Sequence, residues 1–354
     1  MRIATWNVNS IRTRVGRVVD WLLREDIDVL AMQEIKCKPE QFPMDAFTEA
    51  GYEVELHGLN QWNGVAFASR LPMDDVTVGF DTQPGFGKPL DDGTVPIEAR
   101  AMGVTVEGAR LWSLYVPNGR ELDNPHYPYK LEWLTNLKTQ AAQWMSENPE
   151  QPLALMGDFN IAPFDHDVWD IAAFEGKTHV SDAERAAFRA FEEAGMIDAL
   201  RSRNIEGYTY WDYQRLRFPR NEGMRIDFVM GSPAFDELVT EASIHREERK
   251  GDGPSDHVPV VVDLAIDTEN YDDRPMLLYP LRRGGSGALR NLKTVTSTIE
   301  TYQHGISIAN LTRKQGLGKF VVDFALHEST QRSRTIDRVV AALGKPTAGI
   351  RSYR

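Results

Sequence analysis

The stretch L-M-G-D-F-N-I-A-P, from Leu155 to Pro163, runs an apolar segment into an acid and an amide two residues apart. A carboxylate at Asp158 can take a proton from water, and the Asn160 carboxamide can orient that water or an anion. The same grammar recurs along the chain. T-W-N-V-N brings Asn7 and Asn9, M-Q-E-I-K brings Glu34 and Lys36, and L-Y-V-P-N-G brings Tyr115 and Asn118. M-R-I-D-F-V then brings Asp227, and S-D-H-V-P-V brings Asp256 and His257. An acid at a single strand end is ordinarily a turn former. Six polar ends on successive apolar runs point instead to one shared site.

The residue types fit one chemistry. Carboxylates and amide oxygens are hard ligands that suit Mg²⁺, which keeps several waters and takes phosphate oxygens as further ligands. Glu34 is the first expected ligand because it leaves an apolar strand directly; Asn7 and Asp256 can complete the shell, with Asp158 and Asn160 close by. Cleavage of a phosphodiester needs an aligned water, and Asp158 can accept its proton while Asn160 orients it. His257 can donate to a non-bridging oxygen, with Asp227 fixing its tautomer, and Tyr115 offers a phenol near the phosphate.

A second segment, G-Y-T-Y-W-D-Y-Q-R-L-R-F-P-R-N-E-G-M-R-I-D, carries Tyr208, Tyr210, Trp211 and Tyr213 followed by four arginines. An aromatic and basic loop beside a phosphate site can stack on a base or a sugar and hold the backbone. Simple alternation also allows Trp211 to face the core. Arg215, Arg217 and Arg220 are either phosphate contacts or solvated charges. Lys36 and Lys38 stand in the same position. His166, with no second His or Cys at ligand spacing, reads as a surface residue.

The elements that must position these residues are short. Strands are expected at Ile3–Val8, Val29–Ile35, Gly64–Ser69, Arg110–Val116, Leu153–Gly157, Ile226–Met230 and Val258–Leu264, mostly as continuous apolar runs buried on both faces. Val15, Val18, Val19, Leu22 and Leu23 share a helical face, and Leu131, Leu134, Leu137, Ala141 and Trp144 repeat that spacing between Tyr127 and Met145. Ser181-x-x-Glu184 is a capping box opening a helix that Gly195 ends. Strands and helices in this order imply a layered α/β protein.

Composition sets the frame. The 354 residues carry a net charge of −12 and 42% apolar residues, enough for a sizeable core. One cysteine, Cys37, excludes an internal disulfide and a cysteine-rich zinc module. The N-terminus shows no apolar h-region and no run of eighteen apolar residues exists, so neither a secretory signal nor a membrane span is expected, and the cytoplasm is the expected compartment. The charge is uneven: residues 276–354 hold 13 Lys and Arg against 4 Asp and Glu. The expected organisation is a catalytic domain over 1–266, a linker over 267–287 and a basic C-terminal extension over 288–354. In that extension Lys319–Leu326 reads as a strand and Thr330–Leu343 as a helix, and its charge suits a nonspecific DNA-holding arm.

The set N-V-N, Q-E-x-K, Y-V-P-N-G, G-D-x-N, R-I-D and S-D-H-x-P resembles the exonuclease III family of apurinic/apyrimidinic endonucleases. That family belongs to the wider superfamily that includes DNase I, inositol-polyphosphate 5-phosphatases and sphingomyelinases. The resemblance covers about residues 1–265. It implies a DNase I-like, four-layer α/β fold: a two-sheet β-sandwich flanked by helices, with the site at one end of the sheets. It implies that Glu34 binds the metal, Mg²⁺ or alternatively Mn²⁺, with Asn7 and Asp256 beside it. Asp158 and Asn160 then handle water, Asp227 pairs with His257 at the phosphate, and Tyr115 is the active-site tyrosine. Tyr210, Met224 and Ile226 line the abasic-sugar pocket, while Lys36, Asn118, Arg120, Trp211, Arg215 and Arg217 meet DNA.

The implied activity is a DNA-repair nuclease working as a monomer on double-stranded DNA. It cleaves 5′ to abasic sites to leave a 3′-hydroxyl, trims 3′ ends and removes 3′ blocking phosphates. Many relatives have Trp where Tyr210 or Met224 stands, which leaves open the tightness of the pocket and the balance of endonuclease and exonuclease work. The alternatives are a phosphodiesterase of the same fold acting on a lipid or inositol phosphate, and an inactive DNA-binding relative.

Overall fold

The computed structural model describes residues 1–268 together with strand residues 306–313, 320–326 and 351–353. Two compact units divide the chain near residue 269. In chain order the first unit's strands are β1 (Arg2–Asn7), β2 (Val29–Gln33), β3 (Glu53–His57), β4 (Val65–Ser69), β5 (Asp74–Val78) and β6 (Ala101–Val106). They continue with β7 (Ala109–Tyr115), β8 (Leu153–Asp158), β9 (Ile197–Asp198), β10 (Asp227–Gly231), β11 (Val239–Ile244) and β12 (Val260–Leu264). The helices are α1 (Ile11–Arg24), α2 (Met44–Glu49), α3 (His126–Glu147), α4 (Asp182–Glu193) and the single turn α5 (Pro233–Asp236).

These strands form two six-stranded sheets, ordered β11-β12-β1-β2-β4-β3 and β5-β6-β7-β8-β10-β9. At the centre of each lies a parallel pair, β1 with β2 and β7 with β8. Every other pairing is antiparallel. A helix joins the strands of each parallel pair, α1 in the first sheet and α3 in the second, as a parallel connection requires.

The core between the sheets is built from Ile3, Val29, Ala31, Val65 and Phe67 on one side and Val104, Leu111, Ala154, Met156 and Val229 on the other. The outer face of the second sheet buries Trp112, Leu114, Leu155 and Phe228 against Trp133, Leu134 and Leu137 of α3 and Phe188 and Phe191 of α4. On the outer face of the first sheet Trp6 meets Trp21 of α1 edge to face at 5.2 Å. The order is helix, sheet, sheet, helix, the four-layer arrangement implied by the resemblance. Central strands buried on both faces explain why their sequences are continuous apolar runs rather than alternating ones.

Five strands of the first unit were not expected from sequence. β3, β5 and β11 are edge strands with charged or exposed positions, which blunts their apolar pattern. β9 has two residues. β6 is interrupted by Gly103, where a side chain would collide with Trp112 and Arg110 of the neighbouring strand. The capping box is formed as expected: Ser181 accepts from the Glu184 N–H, and Glu184 reaches back to Ser181. Gly195 follows α4 at φ +100°, a conformation suited to a helix stop.

The second unit contains a three-stranded sheet, β13 (Ile306–Arg313), β14 (Phe320–Leu326) and β15 (Arg351–Tyr353), with β13/β14 antiparallel and β14/β15 parallel. β14 matches the strand expected at Lys319–Leu326. The helix expected at Thr330–Leu343 lies outside the described residues.

Candidate active site

A buried polar bridge sets the two sheets against each other just beneath the strand ends. Gln33 donates to Thr5 and, across the sandwich, to Ser113, each at 3.0 Å; Ser113 in turn donates to Met32 O at 2.8 Å. Above that bridge, the parallel pairs end side by side. β1 and β2 deliver Asn7 and Glu34; β7 and β8 deliver Tyr115 and Asp158.

The backbone turns sharply where these residues project. Glu34, Lys36 and Asn160 all have positive φ, at +52°, +52° and +50°. A non-glycine residue there costs about 1–2 kcal/mol, and such strain gathers at functional sites. Gly157 has φ +149°, and a Cβ on it would sit 1.9 Å from Leu114 O. Glycine is therefore required before Asp158, because β7 and β8 approach too closely for a side chain.

The Asn7 amide cross-links the two sheets, donating to Glu34 Oε1 at 2.9 Å and to Asp158 Oδ2 at 3.0 Å. Its oxygen accepts from the Asn9 N–H at 3.1 Å. Asn7 thus holds the two carboxylates through its amide hydrogens, beside the place expected for a cation. Lys36 bridges Glu34 Oε2 at 2.7 Å and Asn9 Oδ1 at 2.6 Å. Asn9 also donates to Asp256 Oδ1 at 3.1 Å. Asp256 therefore sits at the margin, tied through Asn9. Ligand atoms of Glu34, Asp158 and His257 lie within 4.8 Å of one another.

His257 Nδ1 donates to Asp227 Oδ2 at 2.8 Å, and its Nε2 lies 3.7 Å from Asp158 Oδ2. Ser255 and Trp6 pin this loop: Ser255 donates to Asn7 O at 2.7 Å, and Trp6 Nε1 donates to His257 O at 3.0 Å. The other Asp227 oxygen, Oδ1, is buried without a hydrogen-bond partner.

The electrostatics follow from this packing. Burial pushes Asp158 up, with Asp227 and Glu34 adding to it and His257 opposing. Burial alone would lower His257, but the Asp227 and Asp158 carboxylates overcome it and hold the imidazole protonated. Glu34 is also buried, yet Lys36 and the Asn7 amide bring it below the usual carboxylate range. Burial and the neighbouring Glu34 charge push the Tyr115 phenol well up, so it remains a neutral donor. Three buried carboxylates around one imidazole concentrate negative charge that protons or a divalent cation must neutralise. Their oxygens are the hard donors that such a cation favours, so the residues present fit a metal held by Glu34 with Asp158 beside it.

On the far side of Asp158, the Asn160 N–H donates to Asp158 Oδ1 at 2.9 Å. The Asn160 oxygen accepts from Asn118 Nδ2 at 3.2 Å and contacts His179 Nε2 at 3.2 Å, and its amide donates to Val116 O at 2.9 Å. Asn160 is thereby engaged with protein groups and serves Asp158 as a backbone donor. Arg100 packs 4.8 Å from the Tyr115 ring centroid and donates to Tyr115 O at 3.2 Å. His179, Arg100 and Thr209, which accepts from the Asp227 N–H at 3.1 Å, were not found by sequence reasoning. Each lies apart from any strand-end motif, so no spacing signal marks it.

Tyr210 leads from the loop into the site. Its backbone bridges both Met224 and His257, and its ring lies 5.0 Å from the His257 ring. Met224 and Ile226 form a small apolar cluster with Ala162 and Val168, with Tyr210 packed against it. Trp211 is fully buried against Tyr208 and Phe218, so it cannot stack on DNA; the core reading of the alternating aromatics is the correct one. Arg217 is clamped by Glu222 and stacks 4.7 Å over Trp169, which makes it a part of the loop's own structure. Arg215 and Arg120 are exposed, and the Arg120 N–H donates to Asn118 Oδ1 at 3.1 Å. His166 is exposed as expected, near Arg201.

The profile of the endonuclease/exonuclease/phosphatase family matches residues 4–257. The chain is 28% identical to an exodeoxyribonuclease of Bacillus subtilis over 275 residues, covering 75% of this chain and all of that protein. Among solved structures, a 3′ phosphatase from Neisseria bound to a product DNA hairpin superposes with a TM-score of 0.69 at 34% identity, covering 75% of this chain and 99% of that one. An AP endonuclease from Archaeoglobus fulgidus superposes with a TM-score of 0.67 at 31% identity over the same shares. With both sheets, the strand-end residues and this coverage in agreement, the chain belongs to the endonuclease/exonuclease/phosphatase family.

Proposed function

We propose that this protein is a Mg²⁺-dependent DNA-repair nuclease that hydrolyses the phosphodiester 5′ to abasic sites, leaving a 3′-hydroxyl, and also processes 3′ ends of duplex DNA. The observation that carries this reading is the meeting of Glu34, Asp158 and His257 across the two sheets, with Asp227 behind the imidazole. The activities by which the relatives are named, exodeoxyribonuclease, 3′ phosphatase and AP endonuclease, support the same chemistry.

Held by Glu34, a divalent cation would neutralise charge on the phosphate and its leaving oxygen. The protein's own groups do the rest. Asp158, raised by burial, accepts the proton of the attacking water. The Asn160 N–H fixes one Asp158 oxygen and Asn7 the other, so the carboxylate cannot rotate away. His257 keeps a proton on Nε2 for a phosphate oxygen because Asp227 occupies Nδ1. Tyr115, held neutral, donates from the opposite wall. The Tyr210–Met224–Ile226 cluster beside His257 offers an apolar surface to a sugar that lacks its base. A lipid or inositol phosphate would make less use of that cluster and of the exposed Arg120 and Arg215.

The test is incision of a duplex carrying one abasic-site analogue, with Mg²⁺ and with EDTA. Metal-dependent incision 5′ to the lesion is the expected result. A folded wild-type protein that leaves the lesion intact while dephosphorylating an inositol phosphate would establish the other substrate class.

A further inference from the structure

A buried ion pair not used by the chemistry above lies beneath the exit loops of β7 and β8. Lys130, in the second turn of α3, is fully buried. Its ammonium has three protons, and three oxygens take them: Asn160 O at 2.6 Å, Asn118 O at 3.1 Å and Glu184 Oε1 at 2.5 Å. Glu184 is also fully buried. Its second oxygen accepts from Ser181 Oγ at 2.7 Å and the Ser181 N–H at 3.2 Å, within the capping box of α4.

Taking an ion pair out of water is costly, and such pairs contribute little net stability; their best-attested use is to specify geometry. The two carbonyls that Lys130 holds belong to loop residues beyond the β7–β8 ladder, where a buried acceptor needs a partner from elsewhere. An apolar side chain could fill the volume but could not satisfy them. Above the carbonyls, the Asn118 and Asn160 carboxamides meet at 3.2 Å and the Asn160 N–H fixes Asp158.

We propose that Lys130, anchored by Glu184, is the positioning residue of the site: one ammonium ties the Asn118 and Asn160 backbones at a set separation and thereby places Asp158 and both carboxamides for the reaction. The proposal deepens the nuclease reading and rests on it.

The test uses the full chain carrying Lys130→Met with Glu184→Gln. This pair leaves no lone buried charge and keeps a glutamine in the capping box. The expected result is a kcat for abasic-site incision, per folded molecule, lowered by at least about 10-fold with KM changed by less than about 3-fold. Exchange of the Asn160 amide proton should rise by at least about 10-fold. Glu184→Gln alone retains both carbonyl bonds and should lower kcat by less than the double variant does. Wild-type kcat in the double variant, or a Glu184→Gln loss equal to that of the double variant, would overturn the proposal. So would a lower midpoint with kcat per folded molecule unchanged. If the wild type does not incise abasic DNA, the nuclease reading fails by itself; the Asn160 exchange then decides, faster exchange supporting the positioning role and unchanged exchange overturning it. Where the double variant does not fold, Lys130→Gln takes its place with the same readouts.

Discussion

From edge to edge, both sheets pair antiparallel, antiparallel, parallel, antiparallel, antiparallel, and in both a helix joins the two parallel strands. Their ends differ. The first sheet presents Glu34 with a half-exposed Lys36 against it, and the second presents Asp158 with a fully buried Lys130 beneath its loop. The same frame therefore carries two kinds of charge control. On the first sheet the lysine meets the carboxylate itself and can give way to a cation or phosphate. On the second it holds backbone carbonyls, leaving the carboxylate to take a proton. Under the proposed function, cation binding falls to the first sheet and proton transfer to the second.

That division can be broken most sharply with two isosteric changes. Asp158→Asn is expected to lower kcat by about 10²–10⁴-fold with the Mg²⁺ dependence unchanged. Glu34→Gln is expected to raise the Mg²⁺ concentration needed for half-maximal rate by about 10–100-fold, with activity partly recovered at excess metal. A metal titration of both variants decides the matter, and equal midpoints would end the division. Next in size is Asp227→Asn. It leaves the carboxylates of Glu34 and Asp158 untouched but removes the charge behind His257, and a loss of about 10²-fold in kcat is expected. If steady-state rates instead match the wild type, the imidazole has no part in the reaction.

A pH effect probes the second sheet's exit loop. His126 is buried, and burial together with the Arg100 and Arg120 charges lowers it to about 4. Its Nδ1 accepts the Gly119 N–H at 3.0 Å, which only the neutral ring can do. The unfolded chain, with a histidine near its ordinary value of about 6.5, binds the proton first. Stability supplied by the neutral His126 is therefore present above about pH 6.5 and lost as pH falls toward 4, by up to about 1.4 kcal/mol per pH unit. Chemical denaturation of the wild type and His126→Asn between pH 7 and 4 should show a shallower decline in the variant; parallel declines would exclude His126 as the cause.

The smallest expected effects separate two arginines that look alike in sequence. Arg215→Ala should weaken DNA binding a few-fold and lower the salt slope by about 1, with no change in thermal stability. Arg217→Ala should leave the slope alone and lower stability by about 1 kcal/mol through lost packing on Trp169 and Glu222. Salt-dependent binding and melting of the two variants distinguish them, and identical profiles would mean that the loop does not divide its arginines in this way.

The candidate catalytic groups were legible because each lies within three residues of the end of a strand, and a strand buried on both faces announces itself as an apolar run. Glu34, Asp158, Asp227 and His257 could be picked out from that break alone. The capping box at Ser181 and Glu184 was legible for a similar reason, since its chemistry is complete within four residues. Edge strands such as β3 and β5 were not, because their exposed faces carry charge and erase the pattern.

What sequence could not assign is the direction in which polar groups point. Asn7 and Asn160 read as oxygen ligands, and only the folded site shows their N–H groups holding Glu34 and Asp158, Asn7 across the two sheets and Asn160 from the loop after β8. Trp211 and Arg217 read as DNA contacts, and only packing against Phe218, Trp169 and Glu222 places them inside their own loop. Lys130 and His179 gave no signal at all, since the partners that tie them to the site are 12 to 61 residues distant in the chain. By itself the sequence determined the strand ends and the chemistry they carry, because that information is local. The tertiary structure decided which of those groups bind, which donate and which support, because hydrogen bonds between sheets depend on a register that no single segment contains.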